Sequence, residues 1–307
     1  MANYSENYID FFNAKKERLA GVLTLPKYTT NVPAVIICHG FAKTKSERKF
    51  VELSRFLADK GLASLRLDFS GQGESEGDFE KLTIQKEASD LACAFSFLSK
   101  QKRINSSKIA IIGHSLGGAV AVLFQAQCQK ANTLILLAPA LQQKELLQNW
   151  YSKKQIILCQ KEKYLDTPRG RVGMGYLADA LTFGWRETVA KIASPVLIIH
   201  GQKDDDIPVK YSRELLKAIK ADKKLEIIES ADHGLESYQA KREILKHSYS
   251  WLNKHLLWFF YYLERFHHIR IFELIAQLSI IRPNPNARDD GNVFIASVFG
   301  DFFRLGQ

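Results

Sequence analysis

The chain has 307 residues, 46% hydrophobic and 25% charged, an ordinary soluble globular composition with ample core material for one large domain or two small ones. A formal charge of +10 raises nucleic acid or anionic membrane as partners, but the basic residues are dispersed and no recognition motif occurs, so no nucleic-acid partner is expected. Cys38, Cys93, Cys128 and Cys159 lack C-x-x-C or zinc-type spacing, and the N-terminus lacks a signal-peptide core, which predicts free thiols in a reducing, cytoplasmic setting.

Residues 9–12 and 19–25 read as two strands around a polar turn, a hairpin entering the fold. Residues 35–38 are a short apolar strand leading to His39-Gly40-Phe41. Thr44-x-x-Glu47 predicts a capping box for a helix running to about residue 60, with Phe50, Leu53 and Leu57 on one face and Gly61 as its stop. A strand follows at 62–67, and after it the loop Asp68-Phe69-Ser70-Gly71-Gln72-Gly73-Glu74-Ser75. Ile84, Ala88, Leu91, Phe95 and Leu98 recur at helical spacing. A strand at 108–112, a helix to about 128 and a strand at 133–137 complete the first half.

Such fully apolar strands, alternating with helices, need both faces covered, which argues for a parallel α/β sheet. The rhythm breaks at 141–190, a charged, helix-prone stretch in which Trp150, Tyr151, Tyr164, Tyr176 and Trp185 read as exposed aromatics. Gly170, Gly173 and Gly175 mark an irregular part of it. An insertion there, over the carboxyl ends of the strands, would act as a lid. The pattern resumes with a strand at 196–200, a helix near 209–219, a strand at 225–228 and a helix from 238 to 252.

Residues 256–262 and 271–281 are almost wholly apolar, and 283–292 form a turn-rich break. Three readings compete for this extension. Extra helices could pack on the core, the tail could be disordered, or 256–281 could lie on a membrane surface, with Trp258 at the interface and Arg265 and Arg270 meeting phosphates. No stretch reaches the roughly 18 uncharged apolar residues of a membrane span.

The chemistry centres on Gly113-His114-Ser115-Leu116-Gly117, which follows a strand and opens a helix. In that context G-x-S-x-G forms a nucleophile elbow: a turn tight enough to lift Ser115 above the sheet leaves no room for side chains at Gly113 and Gly117. A serine hydroxyl is a weak nucleophile until a base takes its proton, and the base needs a carboxylate to fix its tautomer. The second half of the chain offers His233 after the last strand and three acids, Asp204, Asp205 and Asp206, after the one before it. Asp204 is preferred; three adjacent carboxylates repel, so two should face solvent. His39, His114 and His200 adjoin glycines in tight turns and are expected to orient backbone. The Leu116 and Phe41 amides can form an oxyanion hole, Gly40 letting the second loop approach. Gly71-Gln72-Gly73 lacks the third glycine of a dinucleotide fingerprint, and no metal-ligand spacing occurs, so neither cofactor nor metal is expected.

These residues together resemble the α/β-hydrolase superfamily, in particular its serine aminopeptidase-like, monoacylglycerol-lipase-like and cinnamoyl or feruloyl esterase-like group. The resemblance covers about residues 8–255. It rests on Leu19–Pro26, His39-Gly40-Phe41, the 68–75 loop, Gly113–Gly118, the stretch from Pro195 to Gly201 with Asp204 and Ile207-Pro208, and His233. It implies a mostly parallel eight-stranded sheet whose second strand is antiparallel, a lid after the sixth strand at about 141–190, Asp204 as the triad acid and a structural role for the 68–75 loop. Residues 256–307 depart from the pattern, leaving membrane contact or oligomerisation through them open.

The expectation is therefore a serine hydrolase cleaving esters of small to medium acyl groups, aromatic ones among them, through an acyl-enzyme. Its alternatives are a monoacylglycerol lipase, a thioesterase, a small-peptide hydrolase or acyltransferase, or a non-enzymatic binding module on the same scaffold.

Overall fold

A computed structural model describes residues 3–257. The extension expected from 256 onward therefore lies, but for Leu256 and Leu257, outside the described residues. Its elements run β1 (Tyr4–Phe12), β2 (Arg18–Pro26), β3 (Val32–Cys38), α1 (Arg48–Asp59), β4 (Ala63–Leu67), α2 (Ile84–Ser99), β5 (Ile104–His114), α3 (Leu116–Cys128) and β6 (Leu134–Leu137). Then come α4 (Gln143–Trp150), α5 (Lys153–Glu162), β7 (Tyr164–Thr167), β8 (Gly170–Gly173), α6 (Met174–Thr182) and α7 (Trp185–Val189). The series closes with β9 (Val196–Gly201), α8 (Lys210–Ala218), β10 (Lys223–Ile228) and α9 (Tyr238–Leu252).

Eight strands form one sheet in the order β1-β2-β4-β3-β5-β6-β9-β10. β2 is antiparallel to both β1 and β4, and every pairing from β4 onward is parallel. This is the mostly parallel sheet expected, its second strand reversed. The solid apolar runs have a direct cause. In β3, Ala34, Ile36 and Cys38 face α2 and α3, while Val35 and Ile37 face α1 and α9; β9 and the 109–112 part of β5 divide in the same way, so neither face of these stretches meets water.

Three expectations change at the local level. The Thr44–Glu47 capping box does not form: Lys45 N–H donates to Asp68 Oδ1 at 2.6 Å and its ammonium pairs with Asp68 and Glu74. Residues 44–46 are thereby tied to the neighbouring loop, and α1 starts after them with Glu47 as an N-cap lacking a side-chain cap bond. Tyr176 and Trp185 are buried, leaving Trp150 as the exposed large aromatic of the insertion. Gly170 and Gly173, expected in an irregular segment, bound β8, which pairs with β7 as a separate antiparallel hairpin. All four cysteines are free, Cys38 and Cys159 buried and the other two half-buried.

Candidate active site

β5 delivers Ser115 at its carboxyl end, and the turn into α3 is as crowded as its sequence suggests. A Cβ on Gly113 would lie 2.3 Å from the Gly117 carbonyl oxygen, and one on Gly117 would lie 2.4 Å from that of His39. Ser115 has φ +54° and ψ −119°, a conformation a residue with a Cβ adopts only when its surroundings enforce it. The enforcement is visible: Ser115 N–H donates to Leu137 O at 2.9 Å, and Ser115 O accepts from Gly118 N and Ala140 N, both at 3.0 Å.

Two loops bring the partners. Lys203 N–H donates to Ala231 O at 2.9 Å, and a Cβ on Gly201 would sit 2.3 Å from that same oxygen, so the loops after β9 and β10 run in contact. Asp204 and His233 consequently meet, with His233 Nδ1 2.8 Å from Asp204 Oδ2 and His233 Nε2 3.0 Å from Ser115 Oγ. With the carboxylate ionised, Nδ1–H donates to Asp204 and Nε2 is left to accept the serine proton.

Asp204 is singled out from its neighbours by the bonds it accepts. Asp205 and Asp206 are exposed, whereas Asp204 is buried and its Oδ1 accepts from Ile207 N–H at 2.7 Å. Burial opposes its ionisation; hydrogen bonds from His200 and His233, the charge available on His233 and the Ile207 amide outweigh it and hold the carboxyl down to about 2. His200 therefore does more than orient backbone. Its Nε2–H lies 2.8 Å from Ile207 O and 3.1 Å from Asp204 Oδ2, and its Nδ1 accepts from Ser212 Oγ at 2.6 Å.

The other two histidines are backbone braces. His39 Nε2 accepts from Phe69 N–H at 3.1 Å, which leaves Nδ1–H to donate to Gly40 O at 2.8 Å. His114 Nε2 donates to the His233 carbonyl at 2.9 Å. Burial first, then the charges of Lys49 and His233, keep His114 neutral well below the ordinary histidine range.

Phe41 and Leu116, the two expected oxyanion donors, flank the serine. Leu116 is the first residue of α3, and a Cβ on Gly40 would lie 3.0 Å from Ser115 Cβ, so the Phe41 loop runs directly past the elbow. Neither amide N–H has an acceptor among the described residues. The Phe41 ring lies 5.4 Å from Phe79 and 5.7 Å from Tyr176 of α6, and Arg169, in the β7–β8 turn, reaches the Phe41 carbonyl at 3.4 Å. The insertion thus touches the loop beside the serine. Among the described residues no group of three or more His, Cys, Asp or Glu side chains is arranged to hold a metal ion.

Residues 30–165 match the family model described as serine aminopeptidase, S33. The structure of Est1E from Butyrivibrio proteoclasticus with ferulic acid bound superposes with a TM-score of 0.72 at 26% identity, covering 82% of this chain and 99% of that one. The chain belongs to the α/β-hydrolase superfamily. Among curated relatives, this chain is 29% identical over 205 residues to the uncharacterized protein Rv2307c of Mycobacterium tuberculosis, a match covering 66% of this chain and 63% of that protein. It is 26% identical over 192 residues to lysophosphatidylserine lipase ABHD12 of Danio rerio, covering 61% of this chain and 47% of the relative. The chain therefore spans about half to two thirds of the length of these relatives.

Some contacts carried no signal in the sequence. The residues of the bond from His200 to Asp204, the Ile207 amide and the contact of Gln72 with the Phe41 loop lie in quoted motifs, but the motifs do not state which of these atoms meet. Only the i,i+4 spacing of His200 and Asp204 at a strand end offers a hint.

Proposed function

We propose that this chain is a serine hydrolase that cleaves carboxylic esters of small to medium acyl groups through an acyl-enzyme. The observation that carries the reading is the hydrogen-bonded run from Ser115 Oγ through His233 to Asp204, at 3.0 and 2.8 Å, on a serine held at a left-handed φ. In this mechanism Ser115 Oγ attacks the substrate carbonyl as His233 Nε2 takes its proton, and Asp204 stabilises the imidazolium. The Phe41 and Leu116 amides receive the oxyanion, each worth about 3 kcal/mol in the transition state. His233 then protonates the leaving alcohol, and water repeats the sequence on the acyl-enzyme.

An aromatic acyl group is favoured by the Phe41, Phe79 and Tyr176 rings gathered beside the serine and by the ferulic acid named in the Est1E structure. Lipid esters are the second reading, supported by α5. On its outward face Ile157 and Leu158 stand exposed between Lys154 and Lys161, at i, i+3, i+4 and i+7, and Trp150 at the end of α4 is exposed as well. In that case the insertion acts as a lid, and membrane contact is made by α5 as well as, or instead of, 256–281.

A fluorophosphonate probe tests the shared core of both readings: wild type should label and Ser115→Ala should not. Equal labelling of the two, or none of either, would remove the serine mechanism. A panel of hydroxycinnamoyl esters against monoacylglycerols of rising chain length then separates the substrates.

A further inference from the structure

The turn that carries Phe41 is held from a side the chemistry above does not use. It closes with Lys43 N–H donating to Gly40 O at 3.2 Å, and Ala42 within it has φ +52°, a left-handed conformation for a residue with a Cβ. Such a residue relaxes unless something grips it, and the grip comes from the 68–75 loop. Ala42 N–H donates to Gln72 Oε1 at 2.9 Å. Because that bond needs the amide oxygen, the Gln72 NH2 must face the other way, where Nε2 donates to Glu87 Oε1 of α2 at 2.7 Å.

Gln72 is fixed at both ends. Its own N–H donates to Phe69 O at 3.0 Å and its carbonyl accepts from Ser75 N–H at 3.1 Å, within a loop drawn together by Asp68. Gln72 and Glu87 are 5% and 2% exposed, so each bond is shielded from competing water. Glu87 is kept here at a cost. Its second oxygen is buried without a hydrogen-bond partner among the described residues, and burial, helped by the charge of Asp90 and opposed by Gln72 and Lys86, pushes its carboxyl up to about 8. An apolar side chain would fill the same space without that penalty, so its presence calls for a geometric reason.

We propose that Gln72, clamped by Glu87, is a positioning residue for the Phe41 amide, holding the Gly40–Lys43 turn in the conformation that aims this N–H at the oxyanion. The inference rests on the esterase reading. Loss of the Gln72 oxygen leaves Ala42 N–H without its acceptor and frees the turn to revert to a right-handed form, which rotates the neighbouring Phe41 peptide away from the serine.

The test uses Gln72→Leu, Glu87→Leu and Glu87→Gln in the full chain, with rates normalised to sites titrated by fluorophosphonate so that misfolded protein does not count. Gln72→Leu should lower kcat about tenfold or more with KM within about twofold, since the hydrogen bond to the oxyanion forms fully only in the transition state. It should weaken a trifluoromethyl ketone, whose hemiketal oxyanion occupies the same hole, by a similar factor. Glu87→Leu should follow in the same direction, and Glu87→Gln, which keeps an acceptor for Gln72 Nε2, should restore wild-type kcat. Adding Ala42→Gly to Gln72→Leu should recover part of the loss, because glycine adopts the left-handed turn unaided. Unchanged kcat in Gln72→Leu, unchanged ketone affinity despite lower kcat, or Glu87→Gln as damaging as Glu87→Leu would overturn the clamp. A wild type lacking Ser115-dependent labelling would instead overturn the esterase reading beneath it.

Discussion

The elbow and the insertion are fastened in different ways. Around Ser115 the constraints are backbone against backbone: Gly113, Gly117 and Gly201 each face a carbonyl oxygen within 2.4 Å of where a Cβ would stand. Left-handed φ values at non-glycine residues follow the same strand ends, at Ala42, Ser115, Ala138 and Leu235, against Lys163 in the insertion, where it ends α5. In the insertion, a Cβ on Gly170 or Gly175 would meet only side chains, of Phe79 and Thr83, and Gly173 alone of the three faces backbone. Strain of this kind costs on the order of 1–3 kcal/mol per residue and survives only where the surroundings over-determine it. The sheet supplies more of such surroundings than the insertion does. On the proposed function, the consequence is a fixed reaction centre with a more replaceable insertion as its cover.

Breaking the fixed half should have the largest effects. Ser115→Ala is expected to reduce turnover by about a million-fold, measured with an activated ester against the uncatalysed background. Asp204→Asn should follow at about ten-thousand-fold with the fold intact by circular dichroism, because the amide favours the wrong His233 tautomer. Asp205→Asn and Asp206→Asn should stay near wild type; a severe loss in either, with Asp204→Asn mild, would reassign the acid. Gly117→Ala acts on the scaffold. Its Cβ would press on the His39 and Cys38 carbonyls, and a loss of roughly 3 kcal/mol in urea denaturation, the upper end for overpacking, is expected.

How much of this could be read beforehand follows from the same contrast. The alternation of apolar strands and helices was legible because β3, β5 and β9 are buried on both faces, leaving few residue types possible. Ser115 was legible because crowding demands glycine on both sides of it, and the three aspartates and His233 because they follow strands in the order serine, acid, histidine. The bonds that pick Asp204 out, from Ile207 N–H and His200, arise only in three dimensions. Thr44–Glu47 misled for a related reason: Asp68, 23 residues away in sequence, captures the Lys45 amide that a local helix start would have needed nearby. Ser152-x-x-Gln155, which does form a capping box, carried the same kind of signal and no distant competitor. In the insertion, aromatic residues do not reveal which neighbour they meet, so Tyr176 and Trp185 read as exposed when they are packed inward.

Acid should loosen the fixed half before the cover. The Asp204 carboxyl is depressed to about 2 in the folded chain from an unfolded value near 3.8, so its contribution is complete above the unfolded value and is lost as pH falls through the folded one. The amount is about 2 kcal/mol. Urea midpoints at pH 5 and pH 2.5 should therefore converge for wild type and Asp204→Asn as the pH drops; a constant gap between them would mean the carboxylate contributes nothing through its ionisation.

The smallest effect is expected on the insertion, and it sharpens the comparison most. Ile157 and Leu158 are 64% and 46% exposed, so replacing both with serine removes little buried surface and should change stability by less than about 0.5 kcal/mol. Activity on a short, soluble ester should be unchanged, because nothing at Ser115, His233 or Asp204 depends on these side chains. If the outward face of α5 serves lipid esters, the same double variant should lose activity on vesicles containing anionic lipid while keeping it on the soluble ester, and Lys154→Glu with Lys161→Glu should do likewise. Parallel losses on both substrates would mean that α5 braces the site itself, and the division between fixed centre and replaceable cover would have been drawn in the wrong place.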